Sequence, residues 1–141
     1  MTKKIYWAAA IYTILGLLSG LYYRELTKAK NFTGDTQLAI LHTHLLALGT
    51  LVFLIVLVLE KVFALSETKS FKPFFWSYHA GMLITVGAMA VHGTLTVLGK
   101  ESGAAIAGIA GLGHIVLTVA FVLLFVGLHA RISDKKPAKT A

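Results

Sequence analysis

Apolar positions in this chain do not alternate with polar ones. They gather into four long runs, at about residues 5–23, 37–59, 74–98 and 104–130, separated by short polar links. A helix rises about 1.5 Å per residue, so each run is long enough to cross a hydrocarbon layer of about 30 Å. The first run follows Lys3 and Lys4 and has the charge order of a secretory signal. No A-x-A cleavage pattern follows it, and its length suits a retained anchor. Tyr6, Trp7, Tyr22 and Tyr23 mark its two ends as an aromatic belt. Arg24 to Thr36 reads as a polar connection, with a turn at Thr33-Gly34-Asp35-Thr36 and Asp35 or Thr36 capping the second helix. Ser66 to Lys72 is the next link. Ser70 is its expected cap, Pro73 suits a first helical turn, and Phe74, Phe75, Trp76 and Tyr78 read as a second belt. Gly99-Lys100-Glu101-Ser102-Gly103 is a tight turn, and Arg131 to Ala141 is a basic tail.

These elements predict an all-α fold, an integral membrane four-helix bundle running up-down-up-down. One domain covers residues 1–130 and the tail covers 131–141. Composition agrees: 57% of the 141 residues are hydrophobic and 13% charged, with a mean hydropathy of +0.78. A net charge of +7 raises the question of nucleic acid. The basic residues sit at the ends of the apolar runs, though, which points to the bilayer as partner and to no nucleic acid. Nine Lys and Arg fall on the side of the termini and four on the other side. That imbalance predicts both termini in the cytoplasm. The chain has no cysteine, which excludes disulfides, iron–sulfur ligation and thiolate metal sites.

Chemistry enters with the histidines. Of six in the chain, His42 and His44 lie near the start of the second run, roughly 8–11 Å below its outer boundary. His92 lies about 9 Å below the same boundary, and His114 roughly 15 Å below it. On the third run Gly81, Thr85, Ala88 and His92 share a stripe. On the fourth Ala107, Gly111, His114 and Thr118 share another. Small residues are what membrane helices use to approach each other, so His92 and His114 are expected to point into the bundle. His42 and His44 are about 200° apart around their helix and cannot both face its axis. Gly49 shares the face of His42, which favours His42 as the inward ring. The other would face a neighbouring helix, the interface or a second protomer, so self-association is expected. His79 reads as a belt residue, and His129 as a helix-end group beside Arg131.

An ionisable side chain within a span is a functional candidate. Two ligand classes suit imidazole without thiolate. One is haem with axial histidines, and the other is copper or zinc held by three or four imidazoles. Adjacent histidines on one helix are awkward for a bare ion. With haem, one can ligate while the other serves a propionate. A cofactor-free bundle whose histidines pair with one another is the third class. Asp35 and Glu25 are near enough in sequence to serve as carboxylate partners, although a cap and a surface charge describe them as well. Arg24, Lys28 and Lys30 suit propionates or lipid headgroups. There is no H-E-x-x-H, G-x-S-x-G or phosphate loop.

Two resemblances follow from these motifs. Asn31-Phe32-Thr33-Gly34-Asp35-Thr36-Gln37, His42-Thr43-His44, Val91-His92-Gly93 and Gly111-Leu112-Gly113-His114 resemble an uncharacterised bacterial family of small four-helix membrane proteins, a domain of unknown function. That implies a bacterial cytoplasmic membrane and no particular activity. Leu41-His42-Thr43, followed by an apolar helix with Gly49, is similar to the second membrane helix of the catalytic subunit of haem–copper oxidases and nitric oxide reductases. This resemblance implies His42 as a haem ligand. His44 departs from that pattern, and the oxidases' copper-ligand helices have no counterpart here.

The expected site is therefore a b-type haem among the second, third and fourth helices. His42 is one axial ligand and His92 or His114 the other, with His44 as a further cofactor contact. Electron transfer, haem handling or gas sensing would follow, with a redox partner. The alternative is copper or zinc on His42, His92 and His114.

Overall fold

Backbone N–H and C=O groups in lipid must be satisfied within the chain itself, and apolar runs of this length do so as helices. The computed structural model describes residues 1–133 and is all helical. Four helices are each long and apolar enough to cross a membrane: span 1 (Thr2–Ala29), span 2 (Leu38–Phe63), span 3 (Phe71–Val97) and span 4 (Ala104–Ser133). The expected basic tail lies outside the described residues beyond Ser133. The end holding Met1, the link between spans 2 and 3, and Ser133 is called the terminal end. The opposite one is the far end.

The helix ends differ from expectation for local reasons. Span 1 runs past Tyr23 to Ala29. Its polar last turns stay helical because Thr27 Oγ1 donates to the carbonyls of Tyr23 and Arg24, and Arg24 lies 3.3 Å from Glu25. Thr36, not Asp35, opens span 2. Its hydroxyl accepts the Leu38 N–H at 3.3 Å and donates to the Gly93 carbonyl of span 3 at 2.9 Å. Ser70 precedes span 3 without a side-chain capping bond. Glu60 closes the link between spans 2 and 3 by accepting the Ser66 N–H at 2.7 Å and its hydroxyl at 2.5 Å. Arg131 then donates to the carbonyls of Phe63 and Ala64 and to Glu67, tying span 4 to the end of span 2.

The middle of span 2 is not α-helical. Leu45–Leu51 forms a π-helical stretch between α-helical Leu38–His44 and Val52–Phe63. Neighbours converge on it from both sides. Gly49 lies against Tyr12 of span 1, where a Cβ would come within 2.5 Å of the ring. Thr50 and Thr13 share a hydroxyl bond of 3.0 Å, and the Tyr78 hydroxyl of span 3 donates to the Leu48 carbonyl at 2.7 Å. The wider turn is thus supported by partners from other spans, and a local hydrophobic pattern does not encode it.

Spans 2 and 3 form the middle of the molecule. Span 1 packs on span 2, and span 4 packs on span 3 along its length. Glycines set the closest approaches. Gly16 meets Leu46, Gly93 meets Leu38, and Gly81 meets Leu117 and the Gly113 carbonyl. The predicted stripe of span 3 is buried at Gly81, Thr85 and Ala88. The predicted stripe of span 4 is not. Gly113, Leu117, Ala120, Leu124 and Gly127 are buried, whereas Ala107, Gly111, His114 and Thr118 are exposed. Both stripes carry small residues. Packing takes the one on which Gly113 can sit directly against the backbone of Thr85.

Phe74, Phe75 and Tyr78, read as belt residues, are buried, and Trp76 stays exposed.

Candidate functional site

The histidines separate by what holds each ring. His79 is half-buried in an aromatic cluster joining spans 1, 2 and 3. Its Nδ1 shares a 2.8 Å hydrogen bond with the Tyr12 hydroxyl. Its ring stacks on Phe53 at 4.9 Å and meets the edge of Phe75 at 4.5 Å. It is not a belt residue, and the Tyr12–Gly49 contact that admits it has no signal in the sequence. His42 faces span 1, where Gly20 lies beside its Cβ, and not spans 3 and 4. Its Nδ1 is buried without a hydrogen-bond partner. His92 is half-buried, with Nδ1 bonded to the Ser102 hydroxyl. His129 is exposed near the terminal end.

His44 and His114 are held alike. His44 Nδ1 lies 2.9 Å from the Ile40 carbonyl, and His114 Nδ1 lies 2.9 Å from the Ala110 carbonyl, one turn back on the same helix in each case. A carbonyl only accepts, so each ring donates from Nδ1, and in a neutral ring held this way the lone pair is on Nε2. Metal-binding imidazoles are oriented by this same second bond. His44 is half-buried. His114 is exposed, against the expectation that it points inward, because the buried stripe of span 4 is turned about 100° from it.

Tyr78 links the two spans that carry these rings. The Tyr78 ring meets Phe121 of span 4 edge-on at 5.3 Å, and its hydroxyl reaches Leu48 of span 2. His44 is one turn from Leu48 toward the far end, about 6 Å up. His114 is two turns from Phe121 in the same direction, about 10 Å up and on the same stripe. Measured from Tyr78, the two imidazoles therefore lie within about one turn of each other in height. On span 3 Thr85 is buried against Gly113 of span 4 and Ala88 is buried one turn on, and among the described residues the Thr85 hydroxyl has no partner. His92 continues that stripe about 10 Å beyond the level of Gly113, which touches Thr85. His42 lies on the other side of span 2.

This arrangement does not assemble the predicted trio of His42, His92 and His114. Among the described residues, no three His, Cys, Asp or Glu side chains come together as a bare copper or zinc ion needs. Asp35 and Glu25 are exposed, and Glu25 pairs with Arg24. What spans 2 and 4 offer is two nitrogen donors at similar height, each oriented by its own helix.

A family described as a protein of unknown function, DUF2871, matches residues 2–131. The chain belongs to this family. The DUF2871 match takes in all six histidines. No curated protein and no solved structure matches the chain.

Proposed function

We propose that this DUF2871 protein is a multi-pass membrane electron-transfer protein that binds b-type haem in a cleft between spans 2 and 4. His44 and His114 would hold its iron. The spans run up-down-up-down in a bacterial cytoplasmic membrane, and the lysine and arginine distribution favours both termini inside. One observation carries the reading: two imidazoles on spans 2 and 4, close in height, each with Nδ1 committed to its own helix, so that Nε2 of the neutral ring is the donor left over.

Bound haem supplies a one-electron iron couple, whose potential follows its ligands and surroundings. The chain does the rest. With both His44 and His114 committed to the iron, the site would favour electron transfer over gas sensing. Phe121 and Tyr78 exclude water from the floor. His92 with Ser102 sits toward the far end, where it suits a propionate. A redox partner would approach from that end.

The test is the absorption spectrum and iron content of the purified full chain and its variants. A Soret band that shifts on reduction, lost in His44→Ala and in His114→Ala but kept in His42→Ala, supports the reading. Full haem content in both of the first two variants, or wild-type protein that takes up no haem when it is supplied, overturns it.

A further inference from the structure

The second lateral groove lies between spans 1 and 3, on the opposite side from the cleft. It has a volume of about 710 Å³ and begins at Lys3 and Lys4. Ile11, Leu15, Leu83 and Val86 make its walls apolar, and no acidic residue lines it. From Lys3 to Leu15 span 1 rises about 18 Å. That is close to half of a hydrocarbon layer of about 30 Å. The groove therefore runs from a basic rim to near mid-membrane, the reach of one lipid leaflet. Trp7 and Trp76, 59% and 65% exposed, stand near the rim, where indoles mark the headgroup level. Both lysines are exposed, and among the described residues no carboxylate pairs with either. The Tyr12–His79 bond joins the two walls and fixes their separation.

We infer that this groove holds one anionic phospholipid, its phosphate on Lys3 and Lys4 and an acyl chain along Ile11, Leu15, Leu83 and Val86. The basic rim selects the headgroup, and the length of the apolar walls selects a membrane lipid over a soluble anion. Binding depends on the membrane reading of the spans and is independent of haem.

The test is native mass spectrometry and thermal unfolding of the detergent-purified full chain, titrated with phosphatidylglycerol and with phosphatidylcholine of the same acyl chains. Phosphatidylglycerol is expected to bind more tightly and to raise the unfolding temperature. Lysines at a membrane surface contribute about 1 kcal/mol each, so the double variant Lys3→Gln/Lys4→Gln should lose about thirtyfold in phosphatidylglycerol affinity. Leu83→Trp fills the groove and should remove the bound lipid with both lysines in place. Lys100→Gln, an exposed lysine at the far end, should change nothing. Equal binding of the two lipids overturns the inference. So does an equal loss in Lys100→Gln, lipid retained by Leu83→Trp, the same stabilisation from inorganic phosphate alone, or displacement of the lipid by a short-chain quinone.

Discussion

The two sides of span 3 treat histidine in opposite ways. Facing span 1, His79 is bonded by another helix and clamped between Phe53 and Phe75. Facing the cleft, His44 and His114 bond only to their own helices and meet no side chain of another span through their ring nitrogens. An imidazole that serves the fold is satisfied by the fold. An imidazole whose only bond sets its tautomer is oriented and still has a donor to give. Burial does not separate these cases, since His44 and His79 are both half-buried. The partner of Nδ1 separates them.

The largest effect should come from removing the contact that aims His114. Gly113 lies against Thr85, and a Cβ there would sit 2.8 Å from the Thr85 backbone nitrogen. Gly113→Leu should cost about 3 kcal/mol or more, because backbone cannot give way as a side-chain tip does. Thermal unfolding in detergent would show it, together with loss of haem. Gly111→Leu, two residues earlier on the open face, has nothing within 4 Å of its Cβ and should keep its stability. Equal destabilisation by both would mean that span 4 packs through the other stripe.

Next come the cleft ligands. His44→Ala and His114→Ala should each empty the haem site while shifting the unfolding of haem-free protein little, since neither ring bonds to another span. The reverse pattern, large destabilisation with haem retained, would make these residues structural and cancel the contrast with His79.

On the other side of span 3 the prediction is purely structural. His79→Phe keeps the stacked ring but strands the Tyr12 hydroxyl, at a cost of about 1–3 kcal/mol. Tyr12→Phe added to it should recover most of that loss, because replacing both partners by apolar groups of the same shape is nearly neutral. Haem content should be unchanged in both. A double variant as unstable as the single one would show that the aromatic packing, not the hydrogen bond, holds span 1 to span 3.

Length and hydropathy are local properties, and they made the four spans legible. The small stripe at Gly81, Thr85 and Ala88 was legible for a similar reason, since close approach demands small residues on one face. The corresponding stripe on span 4 was not. Ala107-Gly111-Thr118 and Gly113-Ala120-Gly127 are both small enough, and only the fit to span 3 decides between them. Similarly, Gly49 suggested that His42 looks inward. It does, but toward span 1, because Gly49 itself lies against Tyr12. The pairing of spans, and with it the choice of His44 over His42, depends on which neighbour each face meets. The π-helical stretch at Leu45–Leu51 is hidden for the same reason, being supported by Tyr78, Thr13 and Tyr12 from other spans.

The smallest predicted effect is at Thr85, which stands between the two sides of the comparison. Its hydroxyl is buried in span 3 against span 4 and has no partner. If it serves neither packing nor ligand, Thr85→Val removes a stranded polar group and keeps the shape. Haem-free protein should then be as stable as the parent or more stable, by up to about 1 kcal/mol, with haem content unchanged. A loss of stability would mean that the hydroxyl bonds across the span 3–span 4 contact, making that contact polar. Loss of haem at unchanged stability would mean that the hydroxyl faces the ligand, so that span 3 contributes a polar group to the cleft alongside the two imidazoles.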